Sequence, residues 1–209
     1  MNTDFGPVLE ALLAHLQATT VLAFTANAAS GAQILTGVST LTGLFAGLPV
    51  FGPGVGQGTV IAALNTGAGT VTLSAPVSAA ASAGAFTAGF QFASRRLRHW
   101  TQVSAQPALF LRRIGTTDHY GPESAWPVTT LECELWIYCN AGADPDTAPD
   151  DALNYLEQLV RQAFAPDDDE RFTLSGLVYW CRFEGRGDAA PGDQGAQAIS
   201  RLPVRITLP

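Results

Sequence analysis

The sequence predicts an α+β protein: a small mixed sheet packed by two helices and interrupted by an all-β inserted module. Three observations carry this expectation. Residues 131–139 alternate strictly, with Leu131, Cys133, Leu135, Ile137 and Cys139 on one side and Glu132, Glu134, Trp136 and Tyr138 on the other. That period of two belongs to a strand with one face in a core. Residues 150–164 carry Leu153, Leu156, Leu159, Val160, Ala163 and Phe164 at spacings of mostly three and four, the apolar stripe of a helix. Between Glu10 and Arg95 there is no Asp, Glu, Lys or Arg, so an uncharged stretch separates two segments of ordinary composition. A half-buried strand followed by an amphipathic helix makes a two-layer unit, and the remaining elements must supply the rest of its sheet.

Residues 4–17 read as the first helix. Pro7 sits in its first turn, and Val8, Leu9, Leu12, Leu13 and Leu16 form its buried stripe. His15 is expected at the edge of that stripe or exposed. Residues 19–93 are mostly Ala, Gly, Thr, Ser and Val, with short β-type runs at 21–25, 33–38, 59–64, 70–75 and 85–92. Turn clusters such as GPGVGQG and NTGAGT separate the runs. The runs 59–64 and 70–75 pair as a hairpin through 65–69. A β-module without charges lacks the usual protection of its edges, so it should be covered or packed against neighbouring copies. The competing reading of this composition is a flexible linker.

The segment SRRLRHW places Arg95, Arg96 and Arg98 in one turn, and the strand ALFLRRI adds Arg112 and Arg113. Residues 116–127 read as a polar loop holding Asp118, His119, Tyr120 and Glu123. The second helix starts at Thr147 as N-cap, with Pro149, Asp150 and Asp151 in its first turn. Pro166 and the run Asp167, Asp168, Asp169 and Glu170 end it. Residues 171–185 read as a strand with Gly176 at a bulge. Residues 185–197 read as a turn-rich, mobile loop containing Arg186 and Asp188, and the chain ends in a strand carrying Ile199, Leu202, Val204, Ile206 and Leu208. Removing 19–93 leaves helix, strand, strand, helix, strand, strand. The expected organisation is therefore a core domain of residues 1–18 and 94–209, with residues 19–93 inserted at a surface connection.

The 209 residues include 18 acidic and 11 basic ones, all arginine, for a net charge of −7. That balance argues against nucleic acid as a primary ligand, since phosphate binding needs clustered cations. The N-terminus has no cationic leader and carries Asp4 and Glu10, so it does not read as a signal peptide. No apolar run reaches the roughly 18 residues of a membrane span, and no membrane partner is expected. Cys133, Cys139 and Cys181 are an odd set, which fits buried free thiols in a reducing compartment. Cys133 and Cys139 lie about 20 Å apart on one strand at ~3.3 Å per residue, too far to share an ion. The sequence contains no GxSxG, HExxH, CxxC, P-loop or post-strand GxGxxG motif. Asp118 and His119 with Glu123 come nearest to a catalytic set, without a marked nucleophile. No catalytic, cofactor-binding or metal-binding residue is assigned, and the chain reads as non-enzymatic.

The order of elements, and above all RRLRHW with QPALFL and LNYLEQLVRQAF with LSGLVYWCRFEG, resembles the tail-terminator family (minor tail protein U-like, tail completion) of long-tailed bacteriophages. The resemblance covers residues 1–18 and 94–209. Residues 19–93 depart from the plain family domain, and their stretch GLPVFGPGVGQGTVIAALNTGAGTVTLSAP looks like small β-modules of phage structural proteins. The resemblance implies a ring, commonly a hexamer, at the head-proximal end of the tail tube in the virion, assembled in the host cytoplasm. Such a ring halts tube polymerisation and presents a surface to the head. Its partners would be its own copies, the tail tube protein and a head–neck connector protein, with DNA only in passage through the lumen and no cofactor. Side-by-side contacts that close on themselves are what a ring requires. On this reading Arg95, Arg96, Arg98, Arg112 and Arg113, with Arg186 and Asp188 in the late loop, are candidate assembly contacts. Asp167, Asp168, Asp169 and Glu170 are candidates to line the lumen. Two alternatives stay open: another phage neck or head-completion ring protein, and a non-enzymatic surface-binding protein built on a β-module.

Overall fold

The computed structural model describes residues 5–121, 127–140, 150–194 and 197–208. Helix α1 (Gly6–Thr20) runs directly into β1 (Val21–Ala28), followed by β2 (Ile34–Leu35), β3 (Val50–Phe51), β4 (Ile61–Asn65), β5 (Thr70–Leu73), β6 (Ala81–Gly89) and β7 (Phe92–Ser94). A 3-10 turn (Trp100–Gln102) leads to β8 (Ala108–His119) and β9 (Val128–Asn140). Helix α2 (Asp150–Gln162) precedes β10 (Trp180–Phe183), β11 (Asp188–Gln194) and β12 (Gln197–Thr207).

The main sheet has the order β10-β12-β9-β8-β7, with β11 also paired to β12. Strand β7 is parallel to β8, and the other pairs are antiparallel. The alternation expected at 131–139 forms its central strand. Leu131, Cys133, Leu135, Ile137 and Cys139 are buried in the larger apolar cluster, together with Leu153, Leu156, Leu159, Val160 and Ala163 of α2 and its continuation. The opposite face is also covered at one end. Phe110 and Tyr138 are buried there beneath Leu97, Trp100 and Val103, and the Tyr138 hydroxyl donates to the Arg98 carbonyl at 2.9 Å.

The expected small sheet packed by two helices is overturned. Of the described residues 45% are strand and 16% helix, with two α-helices and a large curled sheet. Two local readings explain strand that was not expected. Strand β8 continues to His119, through the first part of what read as a polar loop. Residues 188–194 form β11 against β12, where Gly, Pro and Asp suggested a loop. The uncharged stretch, expected to be all-β from five runs, contributes six strands before β7.

Those six strands close on themselves. One sheet has the order β1-β6-β3 and the other β2-β5-β4. The bridges Asn27–Thr36 and Pro49–Val60 join the two along both sides, with Asn27 N–H to Thr36 O at 2.8 Å and Val50 N–H to Thr59 O at 3.0 Å. The strands thus run round a closed ring in the order β1-β6-β3-β4-β5-β2. Closure removes the free edges that an uncharged module could not otherwise protect. The barrel interior holds Phe24, Leu35, Leu48, Val50, Ile61, Val71, Leu73, Phe86 and Ala88, all part of the same cluster that fills the space under α2. The hairpin expected from 59–64 and 70–75 is present, with Leu64 opposite Val71 and Asn65 opposite Thr70. The chain enters and leaves the barrel at one point, where Val21 pairs with Gly89 and Phe90 N–H donates to Thr20 O at 3.0 Å.

Candidate functional site

The five arginines that lie close in sequence do not form one patch. Arg112 and Arg113 are neighbours on β8, so their side chains leave opposite faces. Arg113 lies over the Phe5 ring at 4.7 Å, and Arg95 pairs with Glu10 of α1 at 2.5 Å, so these two meet the start of the first helix. Arg112 is on the other face, in register with Glu134. Arg96 and Arg98 are exposed. Arg186 is 93% exposed and lies 3.6 Å from Asp188. Asp188 also pairs with Arg201, which reaches Glu134 at 2.9 Å.

That last contact opens onto a larger arrangement. On the uncovered part of the main sheet, Arg205 pairs with Glu184 and with Glu132 at 3.4 Å, and Arg182 donates from Nε to Glu184 at 2.7 Å. Acids and arginines therefore alternate across β9, β12 and β10. Glu132 and Glu134 were legible as outward residues; their partners were not, because only the strand register brings Arg201 and Arg205 beside them. Exposed pairs of this kind contribute about 0–1 kcal/mol each, so the ladder matters more for what it can dock against than for stability.

The acidic run divides as well. The Asp167 carboxylate accepts from Thr173 N–H at 2.6 Å, Thr173 Oγ1 at 2.9 Å and Ser175 N–H at 2.8 Å. Partial desolvation works to raise its pKa, but these bonds outweigh it and hold the carboxyl below its ordinary value. Asp168 lies 3.6 Å from Arg171. Asp169 and Glu170 are exposed, at positive φ of 40° and 65°. Asp167 is thus a structural brace. The sign of its pH effect follows: a depressed folded-state pKa gives stability present above the unfolded value of ~3.9 and lost as pH falls through the folded value. Acid unfolding followed by circular dichroism should show Asp167→Asn less stable at neutral pH, with a smaller further loss below pH ~4 than the parent chain.

The expected strand over 171–185 is overturned by the same brace. Wrapped around that carboxylate, residues 171–179 form turns, and only Trp180–Phe183 pair as a strand. Gly176 sits at φ +84° in a turn, not at a bulge. This corner leaves a cleft of about 400 Å³ lined by Arg161, Phe164, Pro166, Glu170, Arg171, Phe172, Trp180, Cys181, Arg182 and Phe183. A second groove, about 530 Å³, lies between α1, β1 and the end of α2. There His15 is part-buried, its Nε2 2.6 Å from Ala163 O and its ring 4.8 Å from that of Phe172, so it ties the two helices together.

The residues nearest to a catalytic set do not assemble as one. Asp118 accepts from Thr129 Oγ1 at 2.7 Å, His119 is exposed, and Glu123 lies outside the described residues, as do Thr147 and Pro149. The three cysteines are free and buried. Burial pushes the Cys133 thiol up to about 12 although Arg113 and Arg95 pull it down. Burial likewise lifts Cys139 to about 11, and it lifts Cys181 well above its ordinary value with help from Cys133 and Asp167. Since the thiolate is the reactive form, all three should resist a thiol-specific chromogenic reagent at pH 8 in the native protein and react together once denatured. Among the described residues, no group of three or more His, Cys, Asp or Glu side chains could hold a metal ion. No helix among them is long and apolar enough to cross a membrane. No protein-family model and no curated protein matches the chain.

Proposed function

We propose that the chain is a structural subunit of a long-tailed phage virion, closing into a ring on the head-proximal end of the tail tube. There it ends tube polymerisation and offers its outer surface to the head–neck connector. The observation that carries this reading is the order and patterning of the two sequence segments quoted above. The architecture does not carry it, because the fold departs from the small sheet packed by two helices that the sequence led one to expect. The alternating ladder of Glu132, Glu134, Asp188, Arg201 and Arg205 supports it in chemistry. A face bearing both signs suits side-by-side contacts between copies. A ring of this kind requires no active site.

The test pairs light scattering with co-sedimentation on purified tail tubes and, separately, on portal–adaptor complexes. A species near six times the 21.9 kDa subunit mass, free or on tube ends, supports the reading. Binding to portal–adaptor complexes but not tubes assigns the chain to a neck ring instead. A monomer that binds neither defeats both.

A further inference from the structure

We propose that the cleft between the end of α2 and β10 binds an acidic peptide segment of a partner protein, its carboxylates on Arg161 and Arg171 and an apolar side chain among the rings between them. The inference stands apart from the ring reading and does not depend on it.

Three features converge on this corner. The first is donor chemistry. Arg161, Arg171 and Arg182 line one cleft, and two of them lie over aromatic rings: Arg161 at 5.1 Å from the Phe183 centroid and Arg182 at 3.3 Å from that of Trp180. Stacking fixes the plane of a guanidinium while its N–H edge stays available for bidentate contact with a carboxylate. Arg182 gives its Nε–H to Glu184 at 2.7 Å, and elsewhere Arg95, Arg201 and Arg205 likewise spend donors on carboxylates. Arg161 and Arg171 have only longer ion pairs, at 3.9 Å to Glu157 and 3.6 Å to Asp168.

The second feature is backbone strain. Asp169, Glu170, Leu174 and Ser175 all have positive φ, between 40° and 65°. That conformation costs a non-glycine residue of order 1 kcal/mol or more, and it clusters where ligands are clamped. Here the Asp167 carboxylate and the buried Leu174 side chain hold the strained turn in place, and the turn presents Glu170, Arg171 and Phe172 to the cleft. The third is exposed apolar surface on the same segment. Leu177 is 41% and Tyr179 51% exposed, on the stretch of chain that leads into Trp180 of the cleft wall.

Size and charge choose among anionic ligands. A volume of about 400 Å³ takes two or three side chains, not a helix. Three arginines face one glutamate inside the cleft, but Glu157, Asp168 and Glu184 surround it on a chain of net charge −7. That rim repels the dense charge of a nucleic-acid backbone and admits a peptide with one or two carboxylates.

The probe is a fluorescently labelled tetrapeptide Asp-Phe-Asp-Phe with blocked termini, carrying two carboxylates, titrated into the full chain and read by anisotropy. Saturable binding is expected, weakening with salt. The double substitution Arg161→Gln with Arg171→Gln should weaken it about tenfold or more, the loss of at least one charge-assisted hydrogen bond. Both side chains are about half exposed, so the variant should keep its thermal midpoint. Arg186→Gln, outside the cleft, should leave binding unchanged, and an Asn-Phe peptide should bind as weakly as the double variant does. Binding that survives the double substitution, or no saturable binding at all, overturns the assignment. Tighter binding of an equally charged oligothymidine does so too, and marks the cleft as a nucleic-acid contact.

Discussion

Replacing Gly89 with alanine should lower the unfolding free energy by about 2–5 kcal/mol, the sum of a left-handed backbone penalty and overpacking. Gly89 closes the barrel where the chain leaves it. Its φ is +80°, and an added Cβ would lie 2.6 Å from the Thr20 carbonyl oxygen and 2.6 Å from Leu159 Cδ2. The first atom is backbone at the end of α1 and accepts the Phe90 N–H, so it cannot retreat without breaking the joint. The second belongs to α2. The control is Gly31→Ala. Gly31 has nearly the same φ, +81°, but nothing within 4 Å of the added atom, so it should cost only the backbone part, about 1–2 kcal/mol. Urea unfolding of both variants separates the terms. Equal losses would mean that the barrel, α1 and α2 are not locked together at this point.

What the sequence made legible was wherever one face of an element does one job. The alternation at 131–139 and the stripe from Leu153 to Ala163 each report burial on a single side; every inward residue is buried, and of the outward residues of the strand Tyr138 is buried too, in the smaller cluster on the opposite face. The β4–β5 hairpin was legible because the Asn65–Gly69 turn chemistry fixes its register. Barrel closure was not. It depends on bridges at Asn27–Thr36 and Pro49–Val60, made by backbone groups that every residue carries. Residues 172–178 misled in a different way. Phe172, Leu174 and Val178 are all buried and sit at even spacing, as in a strand, yet a single carboxylate, Asp167, bends the chain between them. At 188–194 the Gly and Pro content suggested a loop, but the length of β12 offered a partner and overrode it. The site shows the same division. That Arg112 and Arg113 cannot share a face was readable from strand alternation. That Arg161, Arg171 and Arg182 meet around four rings was not, since it follows from the turn that the strand reading missed.

Phe86→Ala should cost about 3–5 kcal/mol, the usual range for emptying a buried aromatic site, and the loss should be felt far from the barrel. Phe86 is 1% exposed and stacks on Phe24 with centroids 5.7 Å apart and planes at 15°. Around it the backbone has no slack: a Cβ on Gly52 would fall against the Phe86 ring, so the cavity cannot be refilled from that side without moving a strand. The barrel is not insulated from the rest. Phe45 meets Tyr155 of α2 at 6.5 Å, the Tyr155 ring also blocks any side chain at Gly47, and one apolar cluster runs from Phe86 to Leu135 and Ile137 of the main sheet. Continuity of that kind predicts one cooperative transition. The tryptophans make the test sharp, because Trp100, Trp126, Trp136 and Trp180 all lie outside residues 19–93. If the core unfolds as a unit, the tryptophan emission of Phe86→Ala should shift to lower urea by the same amount as far-UV circular dichroism, although the substitution touches no tryptophan. An emission transition that stays where it was would show the barrel melting alone, and the contacts at Gly89 and Tyr155 would then be surface contacts between two separately folded parts.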